Sequence, residues 1–206
     1  MGYYLSEALA SQSQNRYCTP DSMLRLVNTK ERYVMSLQEL AQRIAAVSRL
    51  EGNFVLRSGQ TSHRYFDKYR FEGRPELLAP LGREMSKLIP PETEIIAGLE
   101  LGGVPLATAI SLHTGLPSAV VRKAAKTYGT CKAIEGQNFA GKIVTFIEDI
   151  ISTGCAVSDA LEISTEAGAE VLCVVCAIWR GEGSPIIKAA PHLPVWPLFT
   201  SDQLDP

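Results

Sequence analysis

Ile143-Val144-Thr145-Phe146-Ile147-Glu148-Asp149-Ile150-Ile151-Ser152-Thr153-Gly154 is the stretch that decides how this chain folds. An apolar run meets two adjacent carboxylates, then a hydroxyl-bearing turn that ends in glycine. Downstream, Val157, Ala160, Leu161 and Ser164 recur at helical spacing. A short apolar run bounded by turn residues reads as a buried strand, and the change of period marks a strand–loop–helix unit. In open α/β sheets, ligands sit beyond the carboxyl ends of the strands. That places Glu148 and Asp149 at the ligand end and Ser152 to Gly154 at the helix entrance. Backbone N–H groups at a helix entrance lack partners, and the helix dipole there favours an anion. The segment therefore predicts an anion cradle beside two acceptors for hydroxyl groups or a hydrated cation. It contains neither G-x-x-x-x-G-K-[ST] nor G-x-G-x-x-G after a strand, the two commoner phosphate signatures. Taken alone, it is also compatible with an ordinary strand leaving the core through a polar turn.

Working outward, Ser36 is an N-cap candidate for a helix carrying Leu37, Leu40, Ala41, Ile44 and Val47 on one face. Asn53 to Leu56 and Tyr65 to Asp67 read as two strands around a Ser58-Gly59 turn, a small N-terminal hairpin. Pro75 opens a helix to about Leu88, with Leu77, Leu78, Leu81, Met85 and Leu88 inward. Strands are expected at Glu94–Leu99, Ser118–Val121, Val171–Trp179 and near Val195–Phe199, with a helix over Val104–Leu112 and a long polar loop from about Arg122 to Ala140. Strands alternating with helices from Glu94 onward predict an α/β fold: a doubly wound, mainly parallel sheet flanked by helices, with the hairpin as a hood. Residues 1–34, rich in Ser, Gln, Asn and Tyr, read as a poorly ordered extension, leaving 35–206 as the folded domain.

Bulk properties narrow the function. A chain of 206 residues suits one α/β domain better than two. A net charge of −2 gives no electrostatic reason to expect nucleic acid as a partner. No apolar run has the length of a membrane span, and the N-terminus lacks a signal-peptide pattern. Five cysteines, an odd number without framework spacing, favour a reducing compartment, and a cytoplasmic location is expected. Cys173 and Cys176 form a C-x-x-C inside a strand, where residues three apart face opposite sides, so the spacing reads as core rather than metal or redox chemistry.

A second informative segment starts at Arg122-Lys123-Ala124-Ala125-Lys126-Thr127-Tyr128-Gly129-Thr130 and runs on to Glu135-Gly136. From Arg122 to Lys142 there are five Lys or Arg against one Glu, a local excess of four positive charges in a chain that is net negative. Long loops in compact domains are commonly lids or binding loops, and this one suits a highly anionic ligand; a merely solvated basic loop is the alternative that charge alone leaves open.

The pattern R-K-x-x-K-x-Y-G-T followed by E-G resembles the catalytic loop of the orotate phosphoribosyltransferases, and the Glu148–Gly154 segment resembles the phosphoribosyl diphosphate motif of the type I phosphoribosyltransferases. Three further segments agree. Gly52-Asn53-Phe54-Val55-Leu56-Arg57-Ser58-Gly59 with Ser62 and Tyr65-Phe66-Asp67 resembles that family's orotate-binding hairpin. Gly98-Leu99-Glu100-Leu101-Gly102-Gly103-Val104-Pro105 resembles its pyrophosphate loop, and Trp179-Arg180-Gly181-Glu182-Gly183 with Pro197-Leu198-Phe199-Thr200 its C-terminal end. The resemblance runs from about Leu37 to Leu204.

It implies transfer of 5-phosphoribosyl from 5-phosphoribosyl 1-diphosphate (PRPP) to orotate, with Mg2+ as cofactor and a homodimer whose cationic loop is shared between subunits. Glu148 and Asp149 are expected to hold the ribose hydroxyls, Asp149 also reaching the metal indirectly, through water and PRPP. Ser152, Thr153, Gly154, Cys155 and Ala156 are expected to wrap the 5′-phosphate, and Ile150 and Ile151 to belong to the same PRPP-binding segment. Arg122, Lys123, Lys126 and Tyr128 are assigned to the diphosphate, with Lys126 catalytic alongside the acidic pair. Arg57, Tyr65, Phe66, Ser152 and Arg180 are assigned to orotate. The chain departs from the family pattern in places: Tyr128 stands where His is common, Gly102 where Lys is frequent, Arg57 for Lys, Ala156 for a hydroxyl, and Trp179 for Asp. Gly102 in particular means one charge must come from elsewhere. A phosphoribosyltransferase for another base, and a PRPP-binding regulator on the same fold, remain alternatives.

Overall fold

The computed structural model describes residues 35–55, 59–123 and 133–204. Those residues belong to one compact unit that starts at Met35. Helix α1 (Leu37–Ser48) is entered through Ser36, whose Oγ accepts the Glu39 N–H at 3.2 Å. This is the predicted N-cap, and it satisfies one of the orphan donors of the first turn. Strands β1 (Arg49–Val55) and β2 (Thr61–Phe66) form an antiparallel hairpin with a bulge between Glu51 and Phe54. Both strands are longer than the apolar pattern suggested, because most of their residues are exposed and leave no hydrophobic signature. A single helical turn, α2 (Tyr69–Glu72), then leads to α3 (Pro75–Ser86).

The main sheet has six strands: β3 (Ile95–Leu99), β4 (Ser118–Val121), β5 (Ile134–Glu135), β6 (Ile143–Ile151), β7 (Glu170–Trp179) and β8 (Val195–Thr200). Their order across the sheet is β5-β4-β3-β6-β7-β8. All neighbours are parallel except β4 and β5. Helix α4 (Gly103–Thr114) follows β3, α5 (Cys155–Glu166) follows β6, and the short α6 (Ser201–Leu204) follows β8. The mainly parallel, doubly wound α/β architecture is thus the one anticipated. Within the polar loop before Ala140, the two-residue β5 was not anticipated; it pairs on the sheet edge through Val120 and Val121.

Helices cover both faces, as a buried parallel sheet requires. On one side, Leu40 and Ile44 of α1, Leu81 and Met85 of α3, and Leu106 and Ile110 of α4 pack on Ile96, Ile147 and Val175. On the other, Val157 and Ala160 of α5, with Ile187 and Leu193, pack on Ala97, Phe146 and Val174. Cys173 falls in the first layer and Cys176 in the second, so the C-x-x-C is split by the sheet. Burial pushes the Cys173 thiol up to about 11. Burial, with Glu148 and Asp149 nearby, raises Cys176 as well. Both are inert apolar packing at neutral pH. Among the described residues no helix is long and apolar enough to cross a membrane.

Phe146 is fully buried in the central strand. Truncating it to Ala is expected to lower unfolding free energy by about 3–5 kcal/mol. Leu112→Ser, at a position 84% exposed, is expected to change it by less than about 0.5 kcal/mol. Urea titration of both variants checks this.

Candidate active site

The strand order places the site. From β3 the chain steps outward to β4; from β6 it steps the other way, to β7 and β8. The order therefore reverses between β3 and β6, and in doubly wound sheets the crevice at such a reversal is where ligands bind. The loop after β3 contains Glu100 to Gly102, and the end of β6 contains Glu148 and Asp149. The strand itself continues to Ile151, so the two acids are its penultimate turn of pleat rather than its last residues.

Asp149 has a side chain with 0% exposure, and Glu148 is 8% exposed. Asp149 Oδ2 reaches Lys68 Nζ at 2.5 Å, and its Oδ1 accepts the Ile150 N–H at 2.5 Å. Glu148 Oε2 is buried with no hydrogen-bond partner. Burial raises both acids, but Asp149 has Glu148 and Lys68 beside it, and together they hold it below the usual carboxylate range. Glu148, with burial and then Asp149 against it, is pushed well above. The opposed shifts of these two adjacent buried carboxyls mean that Asp149 gives up its proton more readily than Glu148. Glu72, 6% exposed and with neither carboxyl oxygen hydrogen-bonded, completes the cluster. Burial and then Asp149 raise it to about 8. Neither Lys68 nor Glu72 was singled out in the sequence.

The turn after β6 has the expected form. Gly154 is the N-cap of α5 with φ 78°, a left-handed conformation that costs other L-residues. A Cβ there would also lie 2.7 Å from Ile187. Ser152 and Thr153 are exposed, as are Cys155 and Ala156 in the first helical turn. Ile150 is half-buried and Ile151 buried, so these two offer the site backbone rather than side chain. The Ile151 carbonyl accepts the Arg180 N–H at 2.7 Å, which ties the end of β7 to this turn.

A cleft of about 260 Å³ joins Arg122 and Lys123 to Cys155 and Ala156, with Glu100 and Asp159 on its wall. Arg122 Nη2 lies 3.7 Å from Glu100 Oε1, and the Lys123 N–H donates to Glu100 Oε2 at 3.2 Å. The root of the cationic loop is therefore anchored on the loop after β3. Arg57, Lys126 and Tyr128 lie outside the described residues. Of the hairpin residues, Phe66 has the Arg180 guanidinium 5.1 Å from its ring centre. Tyr65, its strand neighbour, stacks on Phe54 with ring centres 5.4 Å apart. Adjacent strand residues face opposite sides, so only Phe66 is brought to Arg180. His63 pairs across the exposed hairpin with Asn53 at 2.8 Å, a surface contact.

Comparison with known proteins agrees with this geometry. No family model matches the chain. An orotate phosphoribosyltransferase from a Nocardioides species is 53% identical over 166 residues, covering 81% of this chain and 93% of its own. The crystal structure of Mycobacterium tuberculosis orotate phosphoribosyltransferase in complex with Fe(III) dicitrate superposes with a TM-score of 0.72 at 30% identity, covering 82% of this chain and 98% of that one. The same enzyme in complex with PRPP gives a TM-score of 0.68 at 27% identity, covering 82% and 99%. The class so defined is the type I phosphoribosyltransferases. Within it, the chain belongs to the orotate phosphoribosyltransferase family.

Two outcomes test this geometry. Gly154→Ala is expected to cost about 1–3 kcal/mol of stability, through its positive φ and the Ile187 contact, measured by denaturant unfolding. The raised Glu72 gives a signed pH effect. A carboxyl whose folded value lies above its unfolded one stabilises fully below about 4.5 and loses that contribution as pH rises through about 8. Thermal melts of Glu72→Gln across that window should therefore fall less steeply with pH than those of the unaltered protein; parallel curves would refute the assignment.

Proposed function

We infer that this enzyme transfers the 5-phosphoribosyl group from PRPP to orotate, giving orotidine 5′-monophosphate and pyrophosphate in pyrimidine biosynthesis. The observation that carries this reading is the buried Glu148–Asp149 pair beside the Gly154-capped helix at the sheet's switch point, in a chain with close relatives of that name. Residues 35–206 would form the transferase domain and residues 1–34 an extension to it.

In the reaction the C1–O bond to diphosphate breaks and a C1–N bond to the base forms. Positive charge grows on the ribose ring, as in glycoside transfer. Asp149 supplies the fixed negative charge and accepts a ribose hydroxyl; Glu148 would meet the other. Backbone N–H groups at 152–156 and the dipole of α5 receive the 5′-phosphate. Arg122, Lys123 and Lys126 would neutralise the departing diphosphate, with Tyr128 beside them. Phe66 would flank the flat base. Arg180 presents a planar fork that suits the orotate carboxylate. Arg57 and Tyr65 would complete that side, and Ser152 would meet the base or the adjacent phosphate.

Mg2+ suits this donor set in a particular way. Among the described residues no group of three acidic, His or Cys side chains forms a metal cage. Mg2+ commonly keeps waters and binds through one or two carboxylates plus substrate phosphates, and Asp149 would reach it through water and PRPP. The ion would add charge neutralisation at the diphosphate. A homodimer with a shared cationic loop and a cytoplasmic location are part of the same proposal; nucleic acid and membrane have no part in it.

The test is Mg2+-dependent consumption of orotate with PRPP, compared with uracil, hypoxanthine and adenine. Turnover with orotate alone is expected; preference for another base would overturn the assignment. Lys126→Ala should lower the single-turnover rate by about 10²–10³-fold, while the unfolding midpoint stays within about 0.5 kcal/mol of the unaltered protein. An unchanged single-turnover rate would remove Lys126 from the chemistry.

A further inference from the structure

The loop after β3 reaches the acidic pair with a residue that has no side chain. A Cβ on Gly102 would stand 1.5 Å from Asp149 Oδ2 and 2.9 Å from Lys68 Nζ. Gly102, Asp149 and Lys68 therefore meet at one point. The cation at that point comes from a different element, the turn that links the hairpin to α3.

Several contacts hold that turn in place. The Asp67 N–H donates to the Ser48 carbonyl at 2.8 Å, which anchors the hairpin exit on the end of α1. The Tyr69 N–H donates to Asp67 Oδ1 at 3.2 Å. Lys68 is the residue that enters α2, with its ammonium 5.4 Å from the centre of the Tyr69 ring and 2.5 Å from Asp149 Oδ2. One turn on, Phe71 is fully buried and locks α2 into the core. The groups facing the Lys68 ammonium are Asp149 and Glu148 from β6 and the Tyr69 ring, while Glu72 of α2 faces Asp149.

A carboxylate without solvent needs a countercharge to stay ionised and fixed in direction. Sugar hydroxyls are neutral and bring none. The Lys68 side chain keeps 30% exposure while Asp149 keeps none, and an ammonium has three donors, of which one suffices for Asp149. Lys68 can thus remain on Asp149 when a ligand binds.

We propose that Lys68 is a positioning residue: from the turn after the hairpin, it holds the Asp149 carboxylate, packed against the backbone of Gly102, aimed at the sugar hydroxyls of PRPP. This rests on the reading that Asp149 grips those hydroxyls. It also couples the hairpin's exit to sugar binding through one ion pair.

The experiment is a double-mutant cycle on the full chain. Dissociation constants for PRPP with Mg2+ are measured for the unaltered protein, K68M, D149N and the double variant, alongside KM for orotate and thermal melts. K68M is expected to weaken PRPP about tenfold or more in the unaltered background and to add less than about twofold in the D149N background. The KM for orotate should stay within about twofold, a split that general loosening would not produce. If K68M does not fold, K68Q and K68R take its place, with K68R expected to recover part of the affinity. PRPP affinity unchanged in K68M, or reduced equally in both backgrounds, would overturn the inference while leaving Asp149's role intact. PRPP affinity unchanged in D149N would instead overturn the reading of Asp149 itself.

Discussion

A carboxylate without solvent access, Asp149, sits on the central strand of the sheet, and much of the site is a response to it. An isolated buried charge of this kind is costly, by several kcal/mol even after relaxation. The protein meets the cost locally. Lys68 supplies the opposite charge, the Ile150 N–H supplies a hydrogen bond, and Glu148 and Glu72 are pushed toward their neutral forms. Three acids in one buried cluster therefore present less negative charge than three free carboxylates would. Gly102 belongs to the same solution, because any side chain there would occupy the carboxylate's own space.

The two core layers divide the work. The layer containing α1, α3 and α4 also contains Phe71 of α2, so it fixes the turn that carries Lys68 and Glu72. The opposite layer contains Val157 and Ala160 of α5 together with Ile187. It sets the angle at which the helix entrance faces the crevice, and it meets Gly154 so closely that a Cβ has no room. The sugar side and the phosphate side of the site are thus supported by different packing, joined through the sheet strands β3, β6 and β7 between them. Because β6 is flanked by β3 and β7, it is held on both edges by backbone hydrogen bonds and can bear a charged pair where an edge strand would yield.

What was legible in the sequence followed from strong local periodicity. The β6–turn–α5 unit, the Ser36 cap, the α3 face and the split of Cys173 from Cys176 each rest on alternation or helical spacing within a few residues. The illegible parts are those where tertiary contact decides. Beta strand 5 is two residues long and exists because Val120 and Val121 offer it an edge. Lys68 and Glu72 sit in a four-residue turn of polar appearance, and nothing local marks Glu72 as buried; Phe71 beside it was the available signal. Arg122 was visible as a cation, but not as one bound to Glu100, since that contact spans two loops far apart in sequence. Tyr65 and Phe66 were read together, whereas strand alternation alone separates them. Gly102 is legible as a missing loop charge, but Lys68, its companion in space, lies in another segment.

The reduced charge of the cluster also bears on how a highly anionic substrate can be received. PRPP brings a monophosphate and a diphosphate to a crevice whose own acids, if all ionised, would repel it. With Glu148 and Glu72 pushed toward their neutral forms and Lys68 on Asp149, the cluster presents less negative charge to the incoming phosphates than three free carboxylates would. Yet it retains a directed carboxylate for the ribose. Anions can then be drawn by the helix entrance and by the cationic loop rooted at Arg122 and Lys123, with less opposition from the strand between them. In the proposed reaction, when positive charge grows on the ribose ring, Asp149 would already be ionised and aimed, so little reorganisation would be required.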